Sequence, residues 1–440
     1  MLRAGCVAAA WALVGCTVTQ SRAPAESPAS SLGAAPVLPA PQSRFPPTLR
    51  VAVARGWPAG AHPAPAPGLV VQAFASGLSH PRWLHVLPNG DVLVAETNAP
   101  PRPQEGRGIR GAVMKSVQAR AGAGAPSANR IRLLRDADGD GRAETMTVYA
   151  DALNSPFGMA LVGSTLYVAS TDAVIGFDYR EGDTAARSAG RMLASLPAGP
   201  RNHHWTKNIL ASADGRYLYA TVGSNSNVAE NGLEAEQGRA AIWRIEIATG
   251  RSEPFATGLR NPNGLALDPE SGALWAVVNE RDELGNDLVP DYLTAVRQGA
   301  FYGWPWSYFG PHVDQRVRPP DPQRVASAVK PDYALGAHVA ALGLTASQHN
   351  ALGGTFQRGM FIGEHGSWNR NPAVGYKVVF IRFAQGQPLG LPADVLTGFV
   401  DAKGRAQGRP VGVAMARDGA LLVADDVGNT IWRVTAAPAP

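Results

Sequence analysis

Arg260 and Asn261 stand in a tight turn, GLRNPNG at 258–264. A strand-like run follows, then a loop carrying Glu280, Arg281, Asp282, Glu283, Asn286 and Asp287, closed by the aromatic Gly-Trp-Pro of 303–305. A guanidinium in a turn can hold an anion bearing carboxylates. Closely spaced carboxylates and amides offer the hard oxygen ligands that calcium takes. Each part also has a plainer reading, since Asn-Pro favours turns and acidic loops are often only solvated. Their closeness in one unit marks the stretch as a candidate site.

Four further segments carry chemistry-bearing side chains. NHHWTKN at 202–208 sets His203 and His204 beside Lys207. Neighbours in extended backbone point opposite ways, so one of the two histidines can face inward, where a neutral imidazole serves as a general base. Lys377 and Arg409, each at the start of a strand-like run, add cations suited to a polycarboxylate. DADGDG at 136–141 spaces Asp136, Asp138 and Asp140 like the first three ligands of an EF-hand loop, with Gly141 at the turn. Its twelfth position is Thr147 rather than Glu, so the motif implies structural calcium in a hairpin and not a complete EF-hand. GEHGSWNRNP at 363–372 groups Glu364, His365, Trp368, Asn369 and Arg370, a set able to stack on and hydrogen-bond a ring.

These residues need a frame that gathers them, and a repeat supplies it. A Gly- or Pro-bearing turn, a short apolar run, a second turn and an alternating run recur at 77–97, 153–171, 202–223, 258–280, 342–366 and 408–426. Same-face pairs such as Val92 with Val94 and Leu218 with Ala220 read as half-buried strands. The units lie roughly 45 to 80 residues apart, the range of propeller blades with inserted loops. About six blades fit, within the usual range. The expected fold is therefore all-β, a six-bladed β-propeller over 69–436, whose unit-opening turns converge at one mouth of a central channel. Gly at 49 and Pro at 36 of 440 residues agree with a turn-rich fold. Residues 99–129 and 310–337 interrupt the repeat. The first has a basic, helical middle that can cover the site or meet a membrane or redox partner.

Residues 1–16, MLRAGCVAAAWALVGC, read as a signal peptide: Arg3 precedes an apolar run too short to span a bilayer. Leu13–Cys16 resembles a bacterial lipobox, which makes Cys16 the lipid-bearing first residue of a periplasmic lipoprotein; Thr17 after it favours the outer membrane. Residues 17–68, rich in Ala, Pro and Ser, are expected to be a disordered tether. Cys6 and Cys16 are the two cysteines, so the body carries no disulfide, thiol nucleophile or cysteine metal site. The formal charge of +5 is spread along the chain, which gives no nucleic-acid footprint.

Taken in order, NHHWTKN, GLRNPNGLALDP, NERDELGND, FYGWP, GEHGSWNRNP and GRPVGVA resemble the soluble quinoprotein sugar dehydrogenases, nearest to their sorbosone-dehydrogenase-like branch, over 69–436. The resemblance implies a six-bladed propeller that binds pyrroloquinoline quinone (PQQ) and Ca²⁺ on the channel axis and oxidises an aldose or sugar aldehyde. It assigns His204 as the base, because the spacing to Ile209 and Leu210 matches the family strand. It sets Arg260 and Asn261 beside the quinone carbonyls, and Lys377 and Arg409 at the PQQ carboxylates. The calcium-supplying segment falls on Glu280, Arg281 and Asp282. The chain departs from the glucose-oxidising relatives there, at Gln407 in place of a second arginine, and at Ser224 in place of an aspartate. No CxxCH haem motif is present, so the electron acceptor is expected to be a separate cytochrome or quinone. Two rival classes remain: a metal-dependent lactonase-type hydrolase, and a non-catalytic propeller that binds envelope partners.

Overall fold

The computed structural model describes residues 24–42, 48, 50–101 and 116–438. Six antiparallel sheets, five of four strands and one of five, are arranged as the blades of a propeller. Blade I comprises Pro81–Val86, Val92–Glu96, Arg130–Arg135 and Thr145–Ala150, and blade II Met159–Val162, Thr165–Ala169, Ala173–Asp178 and Arg191–Ser195. Blade III comprises Ile209–Ala211, Tyr217–Val222, Ala241–Glu246 and Ser252–Thr257, and blade IV Asn261–Leu267, Leu274–Asn279, Pro290–Ala295 and Tyr333–Ala337. Blade V runs Ala341–Ala346, Gly359–Glu364, Lys377–Ala384 and Gln387–Thr397, with Ala64–Pro65 added at its edge. Blade VI takes Pro410–Met415, Leu421–Asp425 and Thr430–Ala436 from the C-terminal end and Leu69–Ser76 from the N-terminal side. That last pairing closes the ring with strands far apart in sequence, which removes the open sheet edges a linear array would leave.

The unit-opening turns are crowded because the first strand of each blade lies against the next blade's. A Cβ on Gly264 would meet the Leu342 backbone oxygen at 2.6 Å, and one on Gly412 would meet the Arg82 backbone oxygen at 2.9 Å. Glycine recurs in these turns for that reason. The second strands are buried more completely than alternation suggests. In blade I, Val92, Leu93, Val94 and Ala95 are all buried, as is every residue of Leu421–Asp425 in blade VI. Neighbouring blades cover both faces, so residues of either parity are apolar. Between blades I and II, for example, Trp83 packs on Phe157 with ring centroids 4.8 Å apart.

The expected tether is not a loose chain where it is described. Ala25 N–H donates to Ala373 O and Gln42 N–H to Leu284 O. Val53–Ala54 pairs in parallel with Arg405–Ala406, and Val51 and Ala52 are fully buried. The segment holds place by backbone hydrogen bonds and small apolar contacts, which composition does not reveal. Residues 1–16 with Cys16, and 102–115 of the insertion, lie outside the described residues. The described end of that insertion packs near Ala54 and Val427, where Gly122 makes a close approach. In the second interruption, a short helix, Pro322–Ser327, precedes the outer strand of blade IV. Among the described residues no helix is long and apolar enough to cross a membrane.

Candidate active site

Antiparallel pairing fixes which residues share a channel mouth. The start of each first strand lies opposite the end of the second: Asn261 faces Asn279, Ala341 faces Glu364, Pro410 faces Asp425 and Pro81 faces Glu96. The turns with His204, Arg260 and Arg409 therefore gather with the ends carrying Ser224, Glu280, His365 and Asp426.

His204 is half-buried while His203 is exposed; their rings meet edge-on with centroids 4.7 Å apart. His204 Nδ1 lies 2.9 Å from Ser224 O and 3.0 Å from Ser224 Oγ. Burial, with the charges of Arg260, His203 and Lys207, holds its imidazole well below the ordinary 6.5. It is a neutral ring at physiological pH. Lys207 is fully buried, with Nζ 3.4 Å from His204 O and 3.4 Å from Trp205 O. Burial pushes its ammonium down to about 7.

Arg260 is held by a loop that the sequence did not single out. Its Nε donates to Asn227 O at 3.2 Å and its Nη2 to Asn227 Oδ1 at 3.0 Å. Nη1 donates to Glu280 O at 2.7 Å, and Nη2 lies 3.5 Å from Asp282 Oδ2. Asp282 in turn accepts from Asn369 at 2.7 Å and sits 3.4 Å from His338 Nδ1. Burial opposes its charge, yet His338 and Arg260 hold the carboxyl below its usual range. Glu280 behaves oppositely. Burial, reinforced by Asp291, Asp314 and Asp282 against Arg260, pushes its carboxyl up to about 8. Arg281 turns away: its fully buried guanidinium faces Asp314 at 3.1 Å. Of the three residues expected to supply calcium, Arg281 can therefore offer only its carbonyl oxygen, since a guanidinium has no acceptor.

Blades V, VI and I contribute a second group. His365 Nε2 lies 2.9 Å from Asp426 Oδ2, Arg82 Nη1 donates to the same oxygen at 3.0 Å, and His80 Nε2 is 3.5 Å from it. Burial opposes the charge on Asp426, but His365, His80 and Arg82 hold it ionised. Arg82 also stacks over Trp205, 5.9 Å from the ring centroid, which links this group to the histidine loop. Arg409 donates from Nη2 to Tyr376 Oη at 3.0 Å and lies over that ring. His80, Arg82 and Asp426 were missed by sequence reasoning. The same positional logic applies to them: His80 and Arg82 flank the Pro that opens blade I, as Arg409 precedes the Pro that opens blade VI.

Lys377 is not brought to this mouth group. It starts a third strand, two strand spacings, roughly 10 Å, from the first strand of its blade. Its ammonium sits 2.8 Å from both Glu26 and Asp394, beside buried Glu364 at a cavity of about 330 Å³. Asp136, Asp138 and Asp140 join Glu144 in a hairpin of blade I, their carboxylate oxygens within 4.8 Å of one another. It is the one such group among the described residues.

Several buried polar atoms in or near the mouth have no hydrogen-bond partner among the described residues: Asn261 Oδ1, Asn263 Oδ1, Glu280 Oε1, Asn369 Oδ1 and Arg409 Nε. Buried polar atoms are rarely left so. Acceptor oxygens from Asn261, Glu280 and Asn369 suit a hard cation, and a free guanidinium N–H suits an anion. The donor set fits a cation together with a polycarboxylate.

A family model described as TrAA12-like matches residues 127–292 and 314–437. An uncharacterized protein of Borreliella burgdorferi is 28% identical over 295 residues, covering 65% of this chain and 76% of that protein. A pyrroloquinoline quinone-dependent pyranose dehydrogenase of Coprinopsis cinerea is 23% identical over 437 residues, 85% of this chain and 54% of its own length. The chain thus spans about half of that enzyme. In three dimensions it is similar to the calcium structure of Trichoderma reesei Carbohydrate-Active Enzymes Family AA12, with TM-score 0.69, 19% identity and coverage of 89% and 99%. At that identity the likeness is one of fold. The match to the family model runs from blade I's third strand through blade VI, and the chain belongs to the TrAA12-like family.

Proposed function

We propose that the channel mouth oxidises a sugar with PQQ, the cofactor of the Coprinopsis cinerea pyranose dehydrogenase that this chain resembles, and with Ca²⁺ held by the acidic loop at 280–282. One observation carries the reading. A neutral histidine and a buried arginine are held by two ends of one loop, Ser224 and Asn227, beside acceptor oxygens that lack partners. In this reading His204 Nε2 accepts the proton of the sugar hydroxyl. Arg260, anchored on Asn227 and Glu280, presents positive charge where negative charge develops. PQQ, when bound, supplies the two-electron acceptor for the hydride that leaves the sugar carbon, with Ca²⁺ polarising it. Asn261 and Arg409 would hold PQQ. Glu280, Asp282 and the Arg281 carbonyl would hold calcium. Lys377 is left out of cofactor contact, because Glu26 and Asp394 already satisfy it. The substrate is an aldose or sugar aldehyde, the sorbosone type included. Asp136, Asp138 and Asp140 would form a separate structural calcium site. The chain would act in the periplasm as a lipoprotein anchored through Cys16, passing electrons to a cytochrome or quinone.

The test is reconstitution. Protein lacking residues 1–16 is mixed with PQQ and Ca²⁺ and screened against aldoses and sugar aldehydes with a dye acceptor. The expected result is PQQ retention and sugar-dependent dye reduction. Retention of no PQQ, with no dye reduced on any sugar, overturns the reading. The unpaired oxygens of Asn261, Asn263 and Glu280 also suit a metal-activated water. Lactone hydrolysis with a divalent cation and no PQQ would favour that second reading.

A further inference from the structure

His204 can act as a base only through a nitrogen that is unprotonated and unblocked, so the question is which tautomer it adopts and what fixes it. Its Nδ1 faces two oxygens of one residue, Ser224 O at 2.9 Å and Ser224 Oγ at 3.0 Å. The carbonyl can only accept. The hydroxyl proton is already committed, because Ser224 Oγ donates to Ser226 O at 2.7 Å. Both oxygens are therefore acceptors toward Nδ1, and Nδ1 must carry the hydrogen.

The loop behind Ser224 is clamped. Ser224 N–H donates to Arg260 O at 2.7 Å. Asn225 N–H donates to Glu236 Oε2 at 2.6 Å, and Ser226 Oγ donates to Glu236 Oε1. Asn227, next in line, holds Arg260 and accepts from Asp282 N–H at 2.9 Å. Three residues after Ser224, the same strand exit thus positions the arginine. The groups whose charges bear on His204 are Arg260 from blade IV, His203 from its own loop and Lys207 at the start of blade III, all of which disfavour a protonated ring.

We propose that Ser224 is a positioning residue: it locks His204 as the Nδ1–H tautomer with two neutral oxygens, leaving Nε2 as a base that has no carboxylate behind it. The proposal rests on His204 being the base of the oxidation, but it makes a claim about the free protein that can be checked without cofactor or substrate. A carboxylate on Nδ1 would stabilise imidazolium and raise the proton affinity of the ring. A neutral partner leaves that affinity low, so the base stays available in mildly acidic solution, at the expense of intrinsic basicity.

The experiment is nitrogen NMR of ¹⁵N-histidine-labelled full chain without added PQQ, with the His204 signals assigned by their loss in His204→Gln. At pH 7.5 the wild type should show a protonated Nδ1 and a bare Nε2. In Ser224→Asp the His204 midpoint should rise by about one pH unit or more. In Ser224→Ala the tautomer should persist, because the backbone oxygen remains, with a midpoint within about 0.3 units of wild type. A wild-type spectrum with hydrogen on Nε2, or a Ser224→Asp midpoint that does not move, overturns the proposal. The tautomer measurement stands on wild type alone if Ser224→Asp does not fold. Failed sugar oxidation with the expected tautomer would instead count against the proposed function.

Discussion

Gly223 leaves no room for a side chain beside His204: a Cβ there would meet the histidine Cβ at 2.5 Å, and would also run into Asn261 Oδ1. The glycine that follows the second strand of blade III therefore sets the separation between a candidate base and a candidate cofactor ligand on the next blade. Gly223→Ala should push both side chains from place. Overpacking of this kind costs about 1–3 kcal/mol, and displacement of about 1 Å at a reacting group can cost on the order of 100-fold in rate. Steady-state dye reduction beside urea unfolding separates the two. A loss of kcat much larger than the loss of stability is expected; an unchanged kcat would mean that His204 tolerates the shift.

His204→Ala should lower kcat by about 10² to 10⁴ while PQQ retention is kept, as expected for loss of a positioned base rather than of binding. The sign of the pH dependence follows from the lowered imidazole value. The neutral ring is the active form, and it is lost only as pH falls through a value below 6.5. The acid limb of kcat should thus lie below the ordinary histidine midpoint. A limb at or above 6.5 that disappears in His204→Gln would show that the ring is less shielded than the structure has it.

The propeller was legible because its repeat is written in turns: Pro and Gly open each unit where first strands crowd the axis, and His204, Arg260 and Arg409 stand at those turns. What could not be read was the meeting of distant segments. Asp426 of blade VI collects His80 and Arg82 from the start of blade I and His365 from blade V, and no short motif spans that distance. Asn227 lies in an irregular loop with no periodicity to mark it, yet it anchors Arg260 and Asp282. Lys377, read as the start of a strand-like run and assigned by resemblance to the PQQ carboxylates, lies on a third strand that stands off the axis, with its charge spent on Glu26 and Asp394.

His85, on the first strand of blade I, is pushed down to about 4 by burial. The folded ring stays neutral while the unfolded chain, near 6.5, takes up a proton. Unfolding therefore binds protons, and stability falls as pH drops from about 6.5 toward 4. At pH 5 this one group accounts for at most about 2 kcal/mol relative to pH 7.5. His365, pushed down to about 4 by burial despite Asp426, acts in the same direction. In His85→Leu, the difference in urea unfolding free energy between pH 7.5 and pH 5 should shrink by about that amount. An undiminished difference would show that His85 is protonated in the folded state.

Asp425 ties the N-terminal segment to blade VI. Trp57 Nε1 and Trp432 Nε1 both donate to its Oδ2, at 2.7 and 3.0 Å, while Arg409 N–H and Gly428 N–H donate to Oδ1, each at 2.8 Å. Asp425→Ala strands four donors, those of Trp432 and Arg409 buried and those of Trp57 and Gly428 half-buried, so a loss of about 3 kcal/mol or more is expected. Asp425→Asn keeps one acceptor and should lose less. Unfolding followed by tryptophan emission reports both stability and the release of Trp57. If Asp425→Ala is as stable as wild type, the segment is not held through this carboxylate.

The two acidic groups should respond to calcium in different ways. Asp138, Asp140 and Glu144 sit exposed beside half-buried Asp136 in a hairpin of blade I, whereas Glu280 is buried at the channel mouth with Oε1 unpaired. If the hairpin binds Ca²⁺, saturation at about 100 times Kd stabilises the fold by about 2.7 kcal/mol. Asp138→Asn should remove most of that calcium-induced rise in Tm while leaving PQQ retention intact. Glu280→Gln should do the reverse: the rise in Tm from the hairpin persists, and calcium-dependent PQQ retention falls about tenfold or more, because an amide cannot give up a proton to Ca²⁺ and become a charged oxygen ligand as the carboxyl can. The two variants, titrated with Ca²⁺ after chelation, distinguish a structural ion from one that serves the cofactor. Loss of PQQ retention in Asp138→Asn, with none in Glu280→Gln, would reverse the assignment.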